Sequence, residues 1–448
     1  MINRIIDLHI HSKYSRACSG ELELPKIAKA CIRKGVNIIS TGDFTHPGWM
    51  EHIKNNLVEK SQGVYQLNEG NNDEDRRSKI KDQTVEFVLG TEVAVIKKHK
   101  DQTRRVHLCI FAPSIEVVEK FNNKLNADGF NLKSDGRPIL GLTCKQLLEI
   151  MLEIDERMVM IPAHAWTPWF GIFGSKGGYN SLIEAFEDLT PYIKAIETGL
   201  SSDPAMNWRL SQLDDISLIS NSDAHSNEKI GREANVLQFN NEKEINYKNI
   251  FSIINNNRVN SAKAEHAVNN FLHTIEFYPE EGKYHYDGHR DCQFVCSPEE
   301  TKKYNGICPK CHRELTIGVM NRVHELADRT ENEAKEQAEK NNFTPFKSLV
   351  PLKEIISDVL SVGVSSKAVN NEYNKLLEKL GSEFNILLNE EINAIEKASS
   401  PSIGQAIERV RQGNIFVRPG YDGEFGVVKV FEDNEKRLGI KKQTALEI

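Results

Sequence analysis

Short apolar runs that predict β-strands recur through residues 1–275, and helical patterns separate several of them. The strand candidates are "RIIDLHI", "VNIIST", "EFVLGTEVAVI", "RRVHLCIFA", "MVMIPAHA", "IKAIETG", "ISLISNSD" and "EANVLQF". Strands that alternate with helices imply parallel β/α packing, and this many units favour a barrel over a small open sheet. The alternation therefore predicts an α/β fold for this part of the chain.

The chain has 448 residues, which is too long for one typical domain. We predict a barrel over residues 1–275, a cysteine-rich module over residues 276–317 and a mainly helical domain over residues 318–448. Three stretches of the last region, "PLKEIISDVLSVG", "SKAVNNEYNKLLEKLG" and "SIGQAIERVRQG", have apolar residues at helical spacing. The stretch "NIFVRPGYDGEFGVVKVF" then predicts a terminal β-hairpin around its turn residues.

The formal net charge of −7 argues against bulk electrostatic binding to nucleic acid. It leaves room for a local basic groove, because phosphate contacts need a basic patch and not a basic total. The first residues lack the basic and apolar regions of a signal peptide, and no run approaches the roughly 18 apolar residues of a membrane helix. We therefore expect a cytoplasmic protein.

Two histidines, His9 and His11, follow the first apolar run. In a strand they point to the same face because the side-chain period is two, so both imidazoles can bind one metal ion. Metal-binding residue types recur at other strand ends: Asp43, Glu92, His107, His164, Asp223 and His225. Strand ends converge on one face of a β/α barrel, so the set predicts a metal centre, although packing alone stays an alternative for a single member such as His107.

Mixed imidazole and carboxylate ligands suit Zn²⁺, Mn²⁺ or Fe²⁺, while Mg²⁺ prefers oxygen ligands. A shared carboxylate such as Glu92 can bridge two ions about 3.5–4 Å apart. Such a pair of ions activates water and stabilises the oxygens that attack and leave a phosphoester. The chemistry that this set indicates is phosphoester hydrolysis.

The motifs "DLHIHS", "STGDF", "GTEV", "VHLCIF", "PAHAW" and "NSDAHS" resemble, in this order, those of the polymerase-and-histidinol-phosphatase (PHP) superfamily. The resemblance implies a distorted (β/α)7 barrel with two or three bound metal ions. It also implies the ligands: His9, His11, Glu92 and Asp223 for the first ion, Glu92, His107 and His164 for the second, and Asp43 with His225 for a third.

The third position departs from the pattern of that superfamily. Many members read "YSDG" after the histidine pair, where the aspartate helps to bind the third ion, but this chain reads "YSRAC" and has Arg16 there. The next motif commonly reads Thr-Asp-His, whereas this chain reads Thr-Gly-Asp and ends on Asp43. Whether two or three ions bind stays open. Arg16 is predicted to supply part of the positive charge of the third ion and to hold a DNA phosphate.

Four cysteines fall within twenty residues, in two close pairs: Cys292, Cys296, Cys308 and Cys311. The segment "GICPKCHREL" has the form of a zinc knuckle, so we predict one structural Zn²⁺ held by the four thiolates. His289 and His312 are possible substitutes for one ligand. Packed free thiols or a redox pair are the alternatives to a zinc site.

The whole arrangement resembles the endonuclease Q family within the PHP superfamily. The resemblance covers the barrel motifs, "HAWTPWFGIFGSKGG", the four-cysteine module and the stretch from "PLKEII" to "PGYDGEFG". It implies a metal-dependent endodeoxyribonuclease that incises DNA 5′ to deaminated bases (uracil, hypoxanthine, xanthine) and abasic sites, with 3′-hydroxyl and 5′-phosphate products. Metal-activated hydroxide would attack phosphorus while the lesion base is flipped out, with catalysis assigned to His9, His11, Glu92, Asp223 and Arg16.

Two loops near the predicted ligands carry residues suited to DNA. Aromatic side chains can stack on an extruded base, and basic side chains can contact phosphate. The predicted DNA-binding residues are Lys13, Tyr14, Arg16, Trp166, Trp169, Phe173 and Lys176. A hydrophobic cover over the barrel and solvated surface charge are the structural alternatives for the two loops.

Two other functions remain open from the residues. One is a PHP phosphatase that acts on a small phosphate monoester, against which the cysteine module and the C-terminal helices count. The other is a non-catalytic DNA-binding scaffold, against which the nearly complete ligand set counts. A sliding clamp is a plausible further partner, but the tail "KKQTALEI" lacks the aromatic pair of a clamp-binding peptide.

Overall fold

The computed structural model describes residues 1–68, 84–100, 102–255 and 269–432, so the tail "KKQTALEI" lies outside the described residues. The chain divides into two compact units. The first unit consists of residues 1–276 and 319–347, and the second consists of residues 277–318 and the chain from residue 348. Residues 319–347 thus belong to the same unit as the predicted barrel.

The elements are numbered here in chain order. The strands are β1 (Ile2–Asp7), β2 (Ile38–Ser40), β3 (Leu57–Ser61), β4 (Val64–Leu67), β5 (Glu86–His99), β6 (Gln102–Ala112), β7 (Ile139–Leu140), β8 (Val159–Pro162), β9 (Ala195–Glu197), β10 (Ser217–Ile219), β11 (Ala234–Phe239), β12 (Asn270–Glu276), β13 (Asp287–His289), β14 (Phe294–Cys296), β15 (Phe346–Ser348), β16 (Phe416–Arg418) and β17 (Val427–Lys429). The α-helices are α1 (Leu24–Lys34), α2 (Pro47–Asn56), α3 (Ile115–Ala127), α4 (Cys144–Ile154), α5 (Leu182–Phe186), α6 (Pro204–Asn207), α7 (Tyr247–Ile254), α8 (Pro298–Lys303), α9 (Val319–Leu326), α10 (Glu331–Asn341), α11 (Leu352–Leu360), α12 (Lys367–Leu380), α13 (Glu383–Leu388), α14 (Ile392–Ala398) and α15 (Pro401–Arg411).

Local signals in the sequence set the ends of the helices between the strands. Helix α1 has a proline in its first turn and ends at Gly35, whose φ of 92° is the left-handed conformation that glycine adopts without strain. Helix α4 begins with a capping box in which Thr143 and Gln146 bond reciprocally to backbone amides. These caps return the chain to the next strand within a few residues.

The first unit is built on one large mixed sheet. Its strand order is β15-β12-β11-β1-β2-β5-β4-β3, and β6 pairs with both β5 and β8. Neighbours β1, β2 and β5 are parallel, as the alternation of strands and helices predicts. The prediction of an α/β fold is confirmed for this unit.

Strand β6 departs from the predicted parallel packing, because it is antiparallel to β5 and to β8. The physical reason is the connection: β5 ends at His99 and β6 begins at Gln102, which leaves no room for a crossover helix. Strands β5 and β6 therefore pair as antiparallel neighbours, with His99 opposite Gln102. His107 lies in the middle of β6 and not at the end of a strand.

Further backbone contacts connect the strands that follow β8. The amide of Ala165 donates to the carbonyl of Glu197 at 2.9 Å, β9 and β10 pair in parallel, and a parallel bridge joins Ile10 to Ala224. One apolar cluster takes buried side chains from β1, β2, β5, β6, β8, β9 and β10: Ile6, Ile38, Val88, Phe111, Ile161, Ala195 and Ile219. These strands therefore surround a common core and end around one group of polar residues.

The second unit contains the β13–β14 hairpin, helix α8, helices α11 to α15 and the β16–β17 hairpin. The turn of the last hairpin packs on the cysteine-rich segment through Asp422, whose carboxylate accepts from the amide of Arg290 at 2.7 Å and from the hydroxyl of Thr316 at 2.6 Å. The predicted helical C-terminal region is confirmed. In the part of the chain that the structure describes, no helix combines the length and hydropathy needed to span a membrane.

Candidate metal centre

His9 and His11 lie just beyond β1 and are both buried. The amide of His11 donates to the carbonyl of Ala224 at 3.1 Å, which extends the pairing of this segment past the strand. Leu8 and Ile10, which alternate with the two histidines, are buried in the core. In an extended segment the two imidazoles therefore point to the opposite face. The strand geometry that the sequence predicts therefore holds for the histidine pair.

A first group of ligand atoms consists of Nε2 of His9, Nε2 of His11, Oε2 of Glu92 and Oδ1 of Asp223. His9 Nε2 lies 3.7 Å from the Glu92 oxygen and 3.6 Å from the Asp223 oxygen, and the corresponding distances for His11 Nε2 are 3.3 and 3.1 Å. Ligands bonded at about 2.1 Å to a tetrahedral ion are about 3.4 Å from one another. The spacing of the group thus fits one divalent ion.

A second group shares the same carboxylate. The other oxygen of Glu92, Oε1, lies 2.7 Å from Nδ1 of His107 and 3.1 Å from Nε2 of His164, and these two nitrogens are 3.2 Å apart. Glu92 therefore turns one oxygen to each group, which is the arrangement of a carboxylate that bridges two ions.

One buried atom supports the metal interpretation independently. Nε2 of His9 is buried and has no hydrogen-bond partner among the described residues, whereas Nδ1 of the same ring contacts Glu197 at 2.9 Å. A buried polar atom without a partner is costly, and a metal ion would satisfy it. The residues present therefore fit a bound metal.

The charges around the site keep the carboxylates ionised. Burial acts to raise the pKa of Glu92, but at the acidic pH where this carboxylate would take up a proton the positive charges of His107 and His9 outweigh burial and hold its pKa well below the usual range. Burial also acts to raise the pKa of Asp223, and His9 and His11 lower it below its usual range. Burial lowers the pKa of His107 to about 4, so this imidazole is neutral near pH 7, the form that binds metals.

Glu197 is a candidate functional residue that the sequence analysis did not single out. It ends β9, and its carboxylate contacts Nδ1 of His9 at 2.9 Å and accepts from the amide of His164 at 2.7 Å and from Asn221 at 2.9 Å. A carboxylate bonded to the second nitrogen of a histidine fixes its tautomer and orientation toward a metal. The available signal was an acid at a strand end, in "IKAIETG".

Asp43 makes the corresponding contact with His11. Its Oδ1 lies 3.1 Å from Nδ1 of His11, and its Oδ2 accepts from the amide and hydroxyl of Ser12, both at 2.7 Å, and from the hydroxyl of Ser15 at 2.8 Å. Both oxygens are thus occupied by donors behind the imidazole. The candidate groups of ligand atoms among the described residues do not include Asp43, and its assignment to a third ion stays a prediction.

His225 lies beside His11 and Asp223. Its ring lies 4.6 Å from the ring of His11, and its Nδ1 lies 3.6 Å from Oδ1 of Asp223. His11, Asp223 and His225 form a third candidate group of ligand atoms. Of the two ligands that the family resemblance implies for a third ion, this group contains His225 and not Asp43.

The loop after His164 differs from its predicted role in DNA binding. Trp166 and Phe173 are 1% and 0% exposed, and the indole of Trp166 donates to Asn207 at 2.8 Å, so neither ring can stack on a base. They are corrected to core residues of a loop that covers the sheet. Trp169, at 55% exposure, and Lys176, also exposed, keep surfaces that a ligand can reach.

The loop after His11 has its predicted residues in three different settings. Lys13 pairs with Glu23 at 2.6 Å, and the ring of Tyr14 stacks on His46 with 4.1 Å between centroids. Arg16 has a side chain that is 79% exposed. None of the described hydrogen bonds or ion pairs of Arg16 joins it to a candidate ligand.

A different arginine faces the centre. Nη1 of Arg137 lies 2.9 Å from Oε2 of Glu92, and its side chain is 24% exposed. Arg16 instead contacts Asp135, with Nε 3.3 Å from Oδ2. No sequence pattern singled out Arg137, because it lies on the loop between α3 and β7 and outside every strand.

The cysteine cluster brings together three of its four predicted ligands. Cys292, Cys308 and Cys311 group with His289, and Sγ of Cys311 lies 3.6 Å from Nδ1 of His289. Cys296 instead lies 3.2 Å from the hydroxyl of Thr301 and is 2% exposed.

The register of the β13–β14 hairpin explains this correction. Cys296 lies opposite Asp287, and the hydroxyl of Thr301, which contacts its sulfur, also donates to Asp287 at 2.6 Å. His289 is two residues further along β13 and next to the turn that carries Cys292. This geometry favours His289 as the histidine that substitutes for one thiolate, which the sequence left open, and Cys296 is a buried thiol beside the hydroxyl of Thr301.

Comparisons with other sequences find uncharacterized relatives. A family model described as the MJ0043 C-terminal domain matches residues 351–414. The uncharacterized protein MJ0043 of Methanocaldococcus jannaschii is 30% identical over 269 residues, which cover 59% of this chain and 31% of the relative's length. The uncharacterized protein YqxK of Bacillus subtilis is 25% identical over 439 residues, which cover 94% of this chain and 98% of the relative.

The fold and the site together define a mixed α/β protein with histidine and carboxylate groups suited to metal ions. Solved structures of endonuclease Q match it over almost its whole length. The lesion-specific endonuclease PfuEndoQ from Pyrococcus furiosus matches with a TM-score of 0.80, 28% identity and complete coverage of both chains. Endonuclease Q in complex with a 27-mer duplex substrate that has an abasic lesion at the active site matches with a TM-score of 0.78, 29% identity and coverage of 96% and 98%. The predicted resemblance to endonuclease Q is confirmed.

The contact of Glu197 with His9 predicts a loss of metal affinity in Glu197→Gln. The variant lacks the charge that orients the imidazole, so we expect binding weaker by about 10–100-fold. Calorimetric titration of chelator-treated protein with Mn²⁺ measures the effect. Glu119→Gln, which removes an exposed carboxylate paired with Lys54, is the control. Equal affinity in Glu197→Gln and the wild type would contradict the assignment.

The histidine in the cysteine group predicts opposite results for two variants. His289→Ala should lose about one zinc ion per chain relative to the wild type, because a ligand is removed, and Cys296→Ala should keep it. Elemental analysis of dialysed protein measures the zinc, and thermal unfolding reports the accompanying loss of stability. Zinc loss in Cys296→Ala with full zinc in His289→Ala would restore the four-thiolate site.

Proposed function

We propose that this protein is a metal-dependent endonuclease that incises damaged DNA. The observation that carries the proposal is Glu92, whose two oxygens face two separate groups of ligand atoms. Enzymes that hydrolyse phosphoesters use paired ions in this way. The full-length likeness to endonuclease Q supports DNA as the substrate, since one of those structures holds a duplex with an abasic lesion.

We infer that the fold that supports this activity is the distorted (β/α)7 barrel of the PHP superfamily. The strands β1, β2, β5, β6, β8, β9 and β10 would form it. The contact between Ala165 and Glu197 and the bridge between Ile10 and Ala224 support closure of the ring. His9, His11, His164 and Asp223 lie just beyond the ends of their strands, where barrel enzymes carry their chemistry, while Glu92 and His107 lie within the longer strands β5 and β6.

The chain itself would contribute ligands and their orientation. His9, His11, Glu92 and Asp223 would hold one ion, and Glu92, His107 and His164 would hold a second. Glu197 and Asp43 would keep the imidazoles of His9 and His11 turned toward the ions. Divalent ions bound there supply Lewis acidity, lower the pKa of water and stabilise charge on the oxygens of a phosphodiester in an in-line displacement. Mixed nitrogen and oxygen donors suit Zn²⁺, Mn²⁺ or Fe²⁺, and Mg²⁺ is a further candidate.

The substrate class proposed is duplex DNA with a deaminated base or an abasic site, cut on the 5′ side of the lesion. The exposed side chains of the two loops that suit DNA are Tyr14, Trp169 and Lys176, and Lys13 is half-buried and pairs with Glu23. Trp169 is the aromatic residue of its loop with the surface to stack on an unpaired base, which base-flipping enzymes require. The lesion base would be flipped out, and the products would carry 3′-hydroxyl and 5′-phosphate ends.

A cutting assay tests this function. The wild type with Mn²⁺ or Mg²⁺ should incise an end-labelled duplex 5′ to a single uracil, hypoxanthine or abasic site, and a chelator should stop the reaction. Asp223→Ala removes a ligand, so the rate should fall by at least about 10²–10³-fold with folding intact, and Asp128→Ala, a surface aspartate paired with Lys124, should cut normally.

An undamaged duplex and p-nitrophenyl phosphate complete the assay. Incision of damaged DNA alone agrees with the proposal. Release of phosphate from the small ester without any DNA cutting would indicate a phosphatase, and binding of DNA without cutting would indicate a scaffold. Normal incision by Asp223→Ala would contradict the assignment of the site.

A further inference from the structure

We propose that Arg137 binds the phosphate that is cut, and that residues 135–138, here called the Arg137 strap, hold it over the metal centre. The inference rests on the proposed function, because it assigns a further residue to that same site. It moves the phosphate-binding role from Arg16, which sequence motifs favour, to an arginine from a different loop.

The Arg137 strap is fixed at both ends by described contacts. The amide of Gly136 donates to the carbonyl of Tyr14 at 3.0 Å, and the carbonyl of Gly136 accepts from the hydroxyl of Thr45 at 3.2 Å. The amide of Ala94 donates to the carbonyl of Pro138 at 3.0 Å. The strap is therefore bonded to the loop after His11, to the segment after β2 and to β5.

Asp135 ties the two arginines into one arrangement. Its Oδ1 accepts from the amide of Arg137 at 3.1 Å and from the amide of Arg16 at 3.3 Å, and its Oδ2 lies 3.3 Å from Nε of Arg16. Asp135 thus pairs with the side chain of Arg16 and accepts a hydrogen bond from the backbone amide of Arg137. The two arginines are not equivalent, since one pairs at the surface and the other reaches a metal ligand.

Close packing at Gly136 allows the approach. A Cβ atom at this position would lie 2.3 Å from Oδ2 of Asp43 and 2.4 Å from Oγ of Ser15. Any other residue would collide with the carboxylate that orients His11. The absence of a side chain lets the strap lie directly against the ligand shell, and this brings the next residue, Arg137, to the centre.

The guanidinium of Arg137 has donors left for a ligand. Among the described residues its side chain donates to Glu92 alone, and a guanidinium has five N–H groups. Oε2 of Glu92 can face the first ligand group and Arg137 together, because a carboxylate oxygen accepts more than one bond. The planar fork of a guanidinium matches two oxygens of a phosphate, and the 24% exposure of the side chain gives a substrate access to it.

The positive charge of Arg137 balances the negative charges of the carboxylates around it. Glu92 and Asp223 are anionic, so a DNA phosphate that approaches the same point is repelled unless cations balance them. Arg137 is a fixed cation at that point and does not depend on the metal load. It would bind the non-bridging oxygens of the phosphodiester and stabilise the charge that grows on them during displacement.

Variants of Arg137 distinguish this role from simple neutralisation of Glu92. We expect Arg137→Ala to keep its metal content and to cut an abasic duplex in single turnover about 10²–10³-fold more slowly than the wild type. Arg137→Lys keeps the charge without the fork and should be intermediate. Added guanidinium should restore at least about tenfold of the lost rate to Arg137→Ala, because the small cation occupies the vacated position.

The control is Arg157→Ala, which removes an exposed arginine paired with Asp155 and should cut and bind metal normally. Wild-type cutting by Arg137→Ala, or loss of its metal, would overturn the assignment. All variants are also assayed on bis(p-nitrophenyl) phosphate, a phosphodiester without DNA. If the wild type cuts no DNA but hydrolyses this ester in an Arg137-dependent way, the Arg137 assignment stands and the DNA substrate fails.

Discussion

The buried carboxylate of Glu92 is the interaction on which the site depends. It is 1% exposed and lies within 3.7 Å of a nitrogen of four histidines and of one arginine. An ionised carboxylate can be buried only where cations or metal ions surround it, because removing it from water is costly. Its two oxygens divide the histidines into two groups, so the geometry of the centre follows from the position of one side chain in β5.

The surrounding shell converts this position into a fixed site. Glu197 and Asp43 hold the far nitrogens of His9 and His11, and each comes from the end of a strand. Ligands oriented in this way lose little freedom when an ion binds, which raises affinity and keeps the reacting geometry. The strap that carries Arg137 packs against Asp43, so the orienting carboxylate also sets the position of the only arginine that, in the described chain, contacts Glu92.

The sequence predicted the part of the site that depends on strand periodicity. His9 with His11, and Asp223, follow directly from alternation beyond β1 and β10, and Glu92, His107 and His164 follow from strand candidates in the right order. What it missed depends on tertiary contacts. Arg137 reaches Glu92 from a loop, and Cys296, which lies opposite Asp287 in the hairpin, packs against the other cysteines without joining the candidate ligand group. Composition suggested stacking for Trp166, but burial excludes it.

The central claim is that one carboxylate joins two ions, and electron paramagnetic resonance of Mn²⁺-loaded protein tests it most directly. The account predicts about two Mn²⁺ per chain with the exchange-coupled spectrum of ions that share a bridging ligand, and loss of that coupling in Glu92→Gln. Two independent Mn²⁺ signals in the wild type, or an unchanged coupled spectrum in Glu92→Gln, would contradict it.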